Sequence, residues 1–242
     1  MFDRIQFDLE KQQNIRKAHK DNDLQDVALK FITKSDQLNY AYNWTWLDLP
    51  IIQMPEDIVL VQEIIWETKP DIIIETGIAW GGSVLLSASM LELIGNGQVL
   101  AIDKVLPQHN IDQIMKYKFS NRIKLFEGSS VDATIIELVR AQIKPSDKVM
   151  VLLDSNHSHE HVYKELNIWG PMVTPQQYLV VSDTIIEDLP TQTHRPRPWG
   201  LGDNPLTALN DFLSENPKFT RENDYNYKAL SSYTRNGYVK CL

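Results

Sequence analysis

The sequence predicts an α/β fold with a largely parallel sheet, and three observations carry that prediction. From Ile72 onward, short apolar runs alternate with longer helix-patterned segments, the signature of βαβ crossovers. The first run, Ile72-Ile73-Ile74, is all β-branched, as in a strand buried on both faces. It leads through Glu75-Thr76-Gly77-Ile78-Ala79-Trp80-Gly81-Gly82-Ser83 into an apolar segment free of prolines. Strand, glycine turn and helix in that order open a ligand-binding α/β unit. The glycines allow close backbone approach, and the helix start offers unpaired N–H groups.

Before this unit, residues 2–35 are highly charged with scattered apolar positions, which predicts one or two amphipathic helices with a break near Asp21-Asn22-Asp23. His19-Lys20-Asp21 has the spacing of two iron ligands but falls on a solvated helix end, so it reads as surface. The aromatic run Tyr40 to Trp46 either lines a pocket or subunit contact or covers the edge of the core. Pro55-Glu56-Asp57 starts a helix with a proline and dipole-matched acids, and Pro70 stops it. Strands are expected at 72–75, 98–102, 123–127, 149–153 and 178–182, with helices near 82–94, 110–118, 131–142 and 158–169. A proline-rich irregular segment follows Asp188. It carries Arg195-Pro196-Arg197-Pro198-Trp199-Gly200 and reads as a lid over an anionic or sugar-like substrate. A helix from Pro205 to Ser214 and two weak strands between Phe219 and Cys241 close the chain as an antiparallel hairpin on the sheet edge. No repeat or low-complexity tract interrupts it.

Parallel sheets bind ligands beyond the carboxyl ends of their strands. The predicted ends are Glu75-Thr76-Gly77, Asp103, Gly128-Ser129-Ser130, Asp154-Ser155-Asn156-His157 and Ser182-Asp183-Thr184, with Glu187 and Asp188 close behind. Acids at four ends of one sheet edge argue for a site rather than for helix caps. The glycine loop reads Glu75-x-Gly77-x-Ala79-x-Gly81. It lacks both the G-x-G-x-x-G spacing of dinucleotide sites and the G-K-[ST] ending of a phosphate loop. An acid before the first glycine suits S-adenosylmethionine better than NAD or ATP.

The 242 residues, 43% apolar, suit one domain with a sizeable core and an appended arm. A formal charge of −8 disfavours nonspecific binding to nucleic acid or to an anionic membrane. The single cysteine, Cys241, excludes an intrachain disulfide and a cysteine-based zinc site. No apolar run is long enough to span a bilayer, and Met1-Phe2-Asp3-Arg4 does not open a leader, so a cytoplasmic protein is expected.

Several linked motifs resemble one family in order: Tyr42-Asn43-Trp44, Ile74 to Ser83, Glu127-Gly128-Ser129-Ser130, Leu153 to Val162, Ser182 to Asp188 and Arg197-Pro198-Trp199-Gly200. Together they resemble the cephalosporin hydroxylase/rhamnosyl O-methyltransferase family over roughly residues 37–242. The resemblance implies a Rossmann-like class I methyltransferase fold: a mostly parallel seven-stranded sheet with helices on both faces, spanning 51–242 behind a helical arm at 1–50. It also implies S-adenosylmethionine as cofactor, held by Glu75, Thr76, Gly77, Ala79, Gly81 and Ser83 on the methionine side. Asp103 would take the ribose, Ser129 and Ser130 the adenine end, and Asp154 would also belong to the set. Asp154 and Asp183 would hold Mg²⁺, or Mn²⁺ or Ca²⁺, with Glu187 a weaker third ligand, all through oxygen. Ser182 and Thr184 flank Asp183 where metal-dependent relatives can carry a further acid or amide.

The predicted reaction is methyl transfer to a hydroxyl of a sugar, glycan or other small polar metabolite. His157 and Asp154 are the candidate catalytic groups, His157 as general base. A homo-oligomer is expected from the charged arm and the aromatic run. The rival from another class is a non-catalytic cofactor-binding subunit of a biosynthetic enzyme. Hydroxylation is disfavoured because the core has no H-x-[DE], and of His157, His159 and His161 only the outer two could share a helix face.

Overall fold

The structure, a computed structural model, describes residues 3–242. Met1 and Phe2, at the tip of the expected arm, lie outside the described residues. Two helices open the chain, α1 (Arg4–Lys20) and α2 (Asn22–Asp36), and the break falls where the Asp21-Asn22-Asp23 signal put it. Asp21 ends α1 and caps α2 by accepting from Leu24 N at 3.0 Å, so the His19-Lys20-Asp21 spacing is a helix junction. A two-residue ribbon, β1 (Thr45–Trp46) with β2 (Leu49–Pro50), leads to α3 (Pro55–Thr68).

The α/β alternation then runs β3 (Ile72–Thr76), α4 (Gly82–Ile94), β4 (Gln98–Asp103), α5 (Gln108–Ile114), β5 (Ile123–Glu127), α6 (Ala133–Arg140), β6 (Val149–Leu153), α7 (His159–Trp169) and β7 (Tyr178–Val181). The chain closes with α8 (Pro205–Glu215), β8 (Phe219–Arg221), α9 (Asn223–Lys228) and β9 (Tyr238–Cys241). The seven strands of the main sheet lie in the order β5-β4-β3-β6-β7-β9-β8. The first five are parallel, and β9 pairs antiparallel with both β7 and β8.

Strand geometry sends alternate side chains to opposite faces. Ile73 therefore joins the core under α3 and α4, while Ile72 and Ile74 join the core that contains Leu166 and Trp169 of α7 and Phe212 of α8. That explains why this stretch is apolar without alternation.

Two helices have shifted boundaries, and one helix was not expected. The helix expected at 110–118 is α5 at 108–114, because Pro107, at φ −59°, already sets the chain for a helix start. The helix expected at 131–142 is shortened at its start by Asp132, which accepts from Thr134 N at 2.9 Å and caps it. The closing hairpin carries α9 between its strands, which its polar sequence did not signal. Asn226 secures that helix by donating to Tyr238 O at 2.8 Å.

Candidate active site

Strand order reverses between β3 and β6, so a crevice opens beyond their carboxyl ends. Gly77 turns there at φ +78°, and a Cβ on it would run into the Asp154 carbonyl. Gly82, the first residue of α4, packs so closely under the Pro50 carbonyl that a side chain would not fit. Ala79 stands at φ +45°, a left-handed conformation unfavourable for a residue with a Cβ. Asp103 stabilises it: Oδ2 accepts from Ile78 N at 2.9 Å and Ala79 N at 3.0 Å. Asn110 adds a bond from Nδ2 to Ala79 O at 3.2 Å. Asp103, expected at a ribose, thus has one oxygen committed to the loop itself.

Glu75 lies beneath this loop. Ser83 donates to Oε1, while Oε2 is buried without a hydrogen-bond partner. Burial pushes its carboxyl up to about 7, against the Ser83 bond, which lowers it. An orphaned, buried carboxylate oxygen at this loop fits the cationic amine of a bound methionine moiety.

A cavity of about 290 Å³ opens above the loop. Of the expected cofactor residues, Gly77, Ala79, Ser83 and Asp154 line it. Glu75 lines a smaller cavity below, which Ser83 and Asp154 share. Thr76, Gly81, Asp103, Ser129 and Ser130 line neither of these. Ser130 instead sits 3.3 Å from His161 Nε2.

Three side chains converge on the cavity: Asp154 from the end of β6, His157 from the loop after it, and Asp183 after β7. Each offers one ligand atom, and these atoms lie within 4.8 Å of one another. His157 Nε2 is 3.3 Å from Asp183 Oδ2. Asp183 is left-handed at φ +56°, a strained backbone of the kind found at functional sites. Burial first, then Asp183, then Glu75, hold the Asp154 carboxyl well above the usual range. Such a set fits a divalent cation, because a positive charge between the two aspartates removes their repulsion.

His157 stands within this group, so a nitrogen joins the two carboxylates where oxygen alone was expected. Glu187 is not in it: its Oε2 accepts from Gly202 N at 2.8 Å and from Asn204 Nδ2, which commits it to the turn before α8. The three histidines part company. His157 precedes α7 and faces the cavity, His159 Nδ1 bonds Thr207 at 2.9 Å, and His161 lies between Ser130 and Ser155.

The roof comes from the segment after Asp188. Arg195, Arg197 and Trp199 line the cavity, and the Trp199 ring stands edge-on to His157 at 5.1 Å. Tyr42 of the aromatic run lines it as well, while Trp44 and Trp46 pack on the core, so that run serves both expected ends.

Asp36, Gln53 and Tyr233 line the cavity unannounced. A signal for Asp36 existed. It stands four residues after Ile32 and eight after Ala28, continuing the buried stripe of α2 with a charge.

Rhamnosyl O-methyltransferases of Mycobacterium tuberculosis and Mycobacterium leprae are similar to this chain. The first is 29% identical over 187 residues, 76% of this chain and 70% of the relative. The second is 29% identical over 182 residues, 74% and 75%. Among solved structures, CmcI in its Mg-SAM form superposes with a TM-score of 0.58 at 15% identity, covering 83% of this chain and 77% of that one. The O-methyltransferase TomG of Streptomyces achromogenes, in complex with SAM, gives 0.52 at 14% identity over 80% of each. These structures share the fold, that of class I O-methyltransferases. The family described as rhamnosyl O-methyltransferase/CmcI matches residues 38–242, which hold the glycine loop, the three converging side chains and the roof. The chain belongs to the rhamnosyl O-methyltransferase/CmcI family.

Proposed function

We propose that this S-adenosylmethionine-dependent O-methyltransferase methylates a hydroxyl of a sugar, and that Asp154, His157 and Asp183 form the centre that deprotonates it. The convergence of those three side chains within 4.8 Å, at the mouth of the glycine loop, carries the reading. The mycobacterial relatives, named for rhamnosyl O-methylation, support a sugar acceptor.

S-adenosylmethionine, when bound, supplies an electrophilic methyl carbon on a sulfonium. The loop from Glu75 to Ser83 would hold its methionine end, with Glu75 Oε2 taking the amine. The ribose and adenine would lie toward the ends of β4 and β5, where the Ser129–Ser130 turn stands and where Asp103 Oδ1, held only by a 3.3 Å bond from Val105 N, remains able to accept a further donor. What remains for the chain is to hold the acceptor oxygen in line, remove its proton and keep water out. Asp154 and Asp183 with His157 would hold Mg²⁺ or Mn²⁺. Such an ion, when bound, supplies a Lewis acid that makes a hydroxyl more acidic. The 3.3 Å pair of His157 with Asp183 favours a second reading in which Asp183 orients His157 as the base and no ion takes part.

Chelation separates the two. Activity should be followed as methyl gain by mass spectrometry on a sugar panel, after EDTA and after add-back of each ion. Loss with EDTA and return with Mg²⁺ or Mn²⁺ supports the ion. An unchanged rate removes it, and His157→Ala should then cut turnover roughly 10²–10⁴-fold. Binding of S-adenosylmethionine with no methyl transfer to any hydroxyl compound would support the non-catalytic rival instead.

We also propose self-association through the N-terminal arm, on whose α1 no side chain is buried.

A further inference from the structure

Asp36, at the end of α2, is only 3% exposed, yet it lies at the edge of the main cavity. Its partners come from far along the chain. Arg195 Nη2 donates to Oδ1 at 2.8 Å, Gln192 Nε2 donates to Oδ2 at 2.7 Å, and His194 Nε2 lies 3.1 Å from Oδ2. Tyr233 adds its hydroxyl at 3.4 Å. Beneath them Ile32 packs with Ile185 and Leu189. One buried carboxylate therefore gathers three side chains of the roof segment onto an N-terminal helix.

The guanidinium so held has a free donor. Arg195 Nη1 donates to the Tyr42 hydroxyl at 2.8 Å, and Nη2 is on Asp36, but Nε is buried with no hydrogen-bond partner. A buried unpaired N–H is costly, so an oxygen reaching it would be favoured. Tyr42 accepts from Arg195 and keeps its own proton to donate. Both residues line the cavity that holds Asp154, His157 and Asp183.

The charge of Arg195 is already matched by Asp36, so the pair presents directed donors rather than net positive charge. Donors of this kind suit a neutral oxygen. A carboxylate or phosphate would bring a charge that nothing in the pair balances, and Arg197, the other arginine lining the cavity, stands over the Trp199 ring at 5.6 Å rather than in this pair.

We propose that Asp36 is a positioning residue that fastens the 190–199 segment as a roof, and that Arg195 Nε with the Tyr42 hydroxyl forms a subsite for a neutral polyol oxygen of the acceptor. The subsite rests on the methyl-transfer reading above; the fastening does not.

The test uses the full chain with three readouts: amide hydrogen exchange of 190–199, calorimetric affinity for S-adenosylmethionine, and KM with neutral methyl glycosides and the matching uronates. Asp36→Asn keeps the shape and removes the charge. It should speed exchange in 190–199 at least tenfold without speeding it in β3 or β6. It should also raise KM for glycosides at least tenfold and leave cofactor affinity within twofold. Arg195→Lys, which keeps the charge but not the fork, should raise KM with a smaller change in exchange. Unchanged exchange in Asp36→Asn overturns the fastening. Uronates preferred over glycosides, or KM unmoved in Arg195→Lys, overturns the subsite. If the wild type binds S-adenosylmethionine but methylates no glycoside, the methyl-transfer reading fails and the subsite with it. Exchange alone then decides the fastening.

Discussion

Glu75 is 2% exposed, and its carboxyl titrates near 7 rather than at its ordinary value because burial opposes the charged form. Between pH 4.5 and about 7 the folded chain therefore keeps a proton that the unfolded chain has lost. That contribution to stability is full below the unfolded value, 4.5, and is lost as pH rises through about 7. Glu75→Gln should thus stabilise the free protein at pH 8 by about 3 kcal/mol and have little effect at pH 4, as thermal denaturation at the two pH values would register. The same proton bears on the proposed cofactor contact. A methionine amine at Oε2 favours the ionised acid, so affinity for S-adenosylmethionine should weaken as pH falls below about 7. In Glu75→Gln that dependence should vanish; calorimetry across this range that found a flat profile in the wild type would remove Glu75 from the amine. Asp103 is a second single-residue case. Because Oδ2 takes two loop amides, Asp103→Ala should destabilise the fold as well as weaken cofactor binding, by about 1.5–3 kcal/mol in chemical denaturation.

Among the elements, α8 shows how the roof is anchored at its far end. Asn204, fully buried, caps the helix by accepting from Leu206 N at 2.9 Å and Thr207 N at 3.3 Å. Thr207 Oγ1 in return accepts from Asn204 N at 3.2 Å, completing a capping box. The Asn204 amide also donates to Gly200 O at 2.8 Å and to Glu187. Replacing Asn204 by Ala should cost about 1–2 kcal/mol for the cap. The total should exceed that, because Glu187 loses a partner. A thermal shift no larger than a surface substitution gives would show that the turn finds other partners. This knot is also why Glu187 stands apart from Asp154, His157 and Asp183, despite lying four residues after Asp183 in sequence.

For the molecule as a whole, α1 leaves apolar surface uncovered. Ile5, Phe7 and Leu9 are more than half exposed, and His19 stacks on Tyr227 of α9 at 3.8 Å. We expect the full chain to self-associate at ~10 μM in light scattering, a concentration at which micromolar contacts are half formed. A chain starting at Asp21 should lose that association while keeping its affinity for S-adenosylmethionine, because α1 contributes no buried side chain. A monomer in both would withdraw the arm from assembly. Truncation beyond Asp36 is a different experiment, since it also removes the partner of Arg195. The division at residue 50 between arm and methyltransferase domain is therefore a proposal about chain order more than about independence.

By itself the sequence determined the α/β alternation, the glycine loop at the end of Ile72–Thr76, and Asp154 and Asp183 at neighbouring strand ends. Those features are local: β-branched runs make strands, glycines permit positive φ, and a strand's last residues project at the sheet edge whatever the partners. Only the tertiary structure decided which polar residues meet. His157, His159 and His161 are alike in sequence, but the start of α7 at His159 sends them to three places. Asp36 and Arg195 lie 159 residues apart, and no local pattern pairs them. Their meeting is set by apolar packing: Ile32 seats on Ile185 and Leu189, and that contact carries the acid at the end of the same helix to the roof.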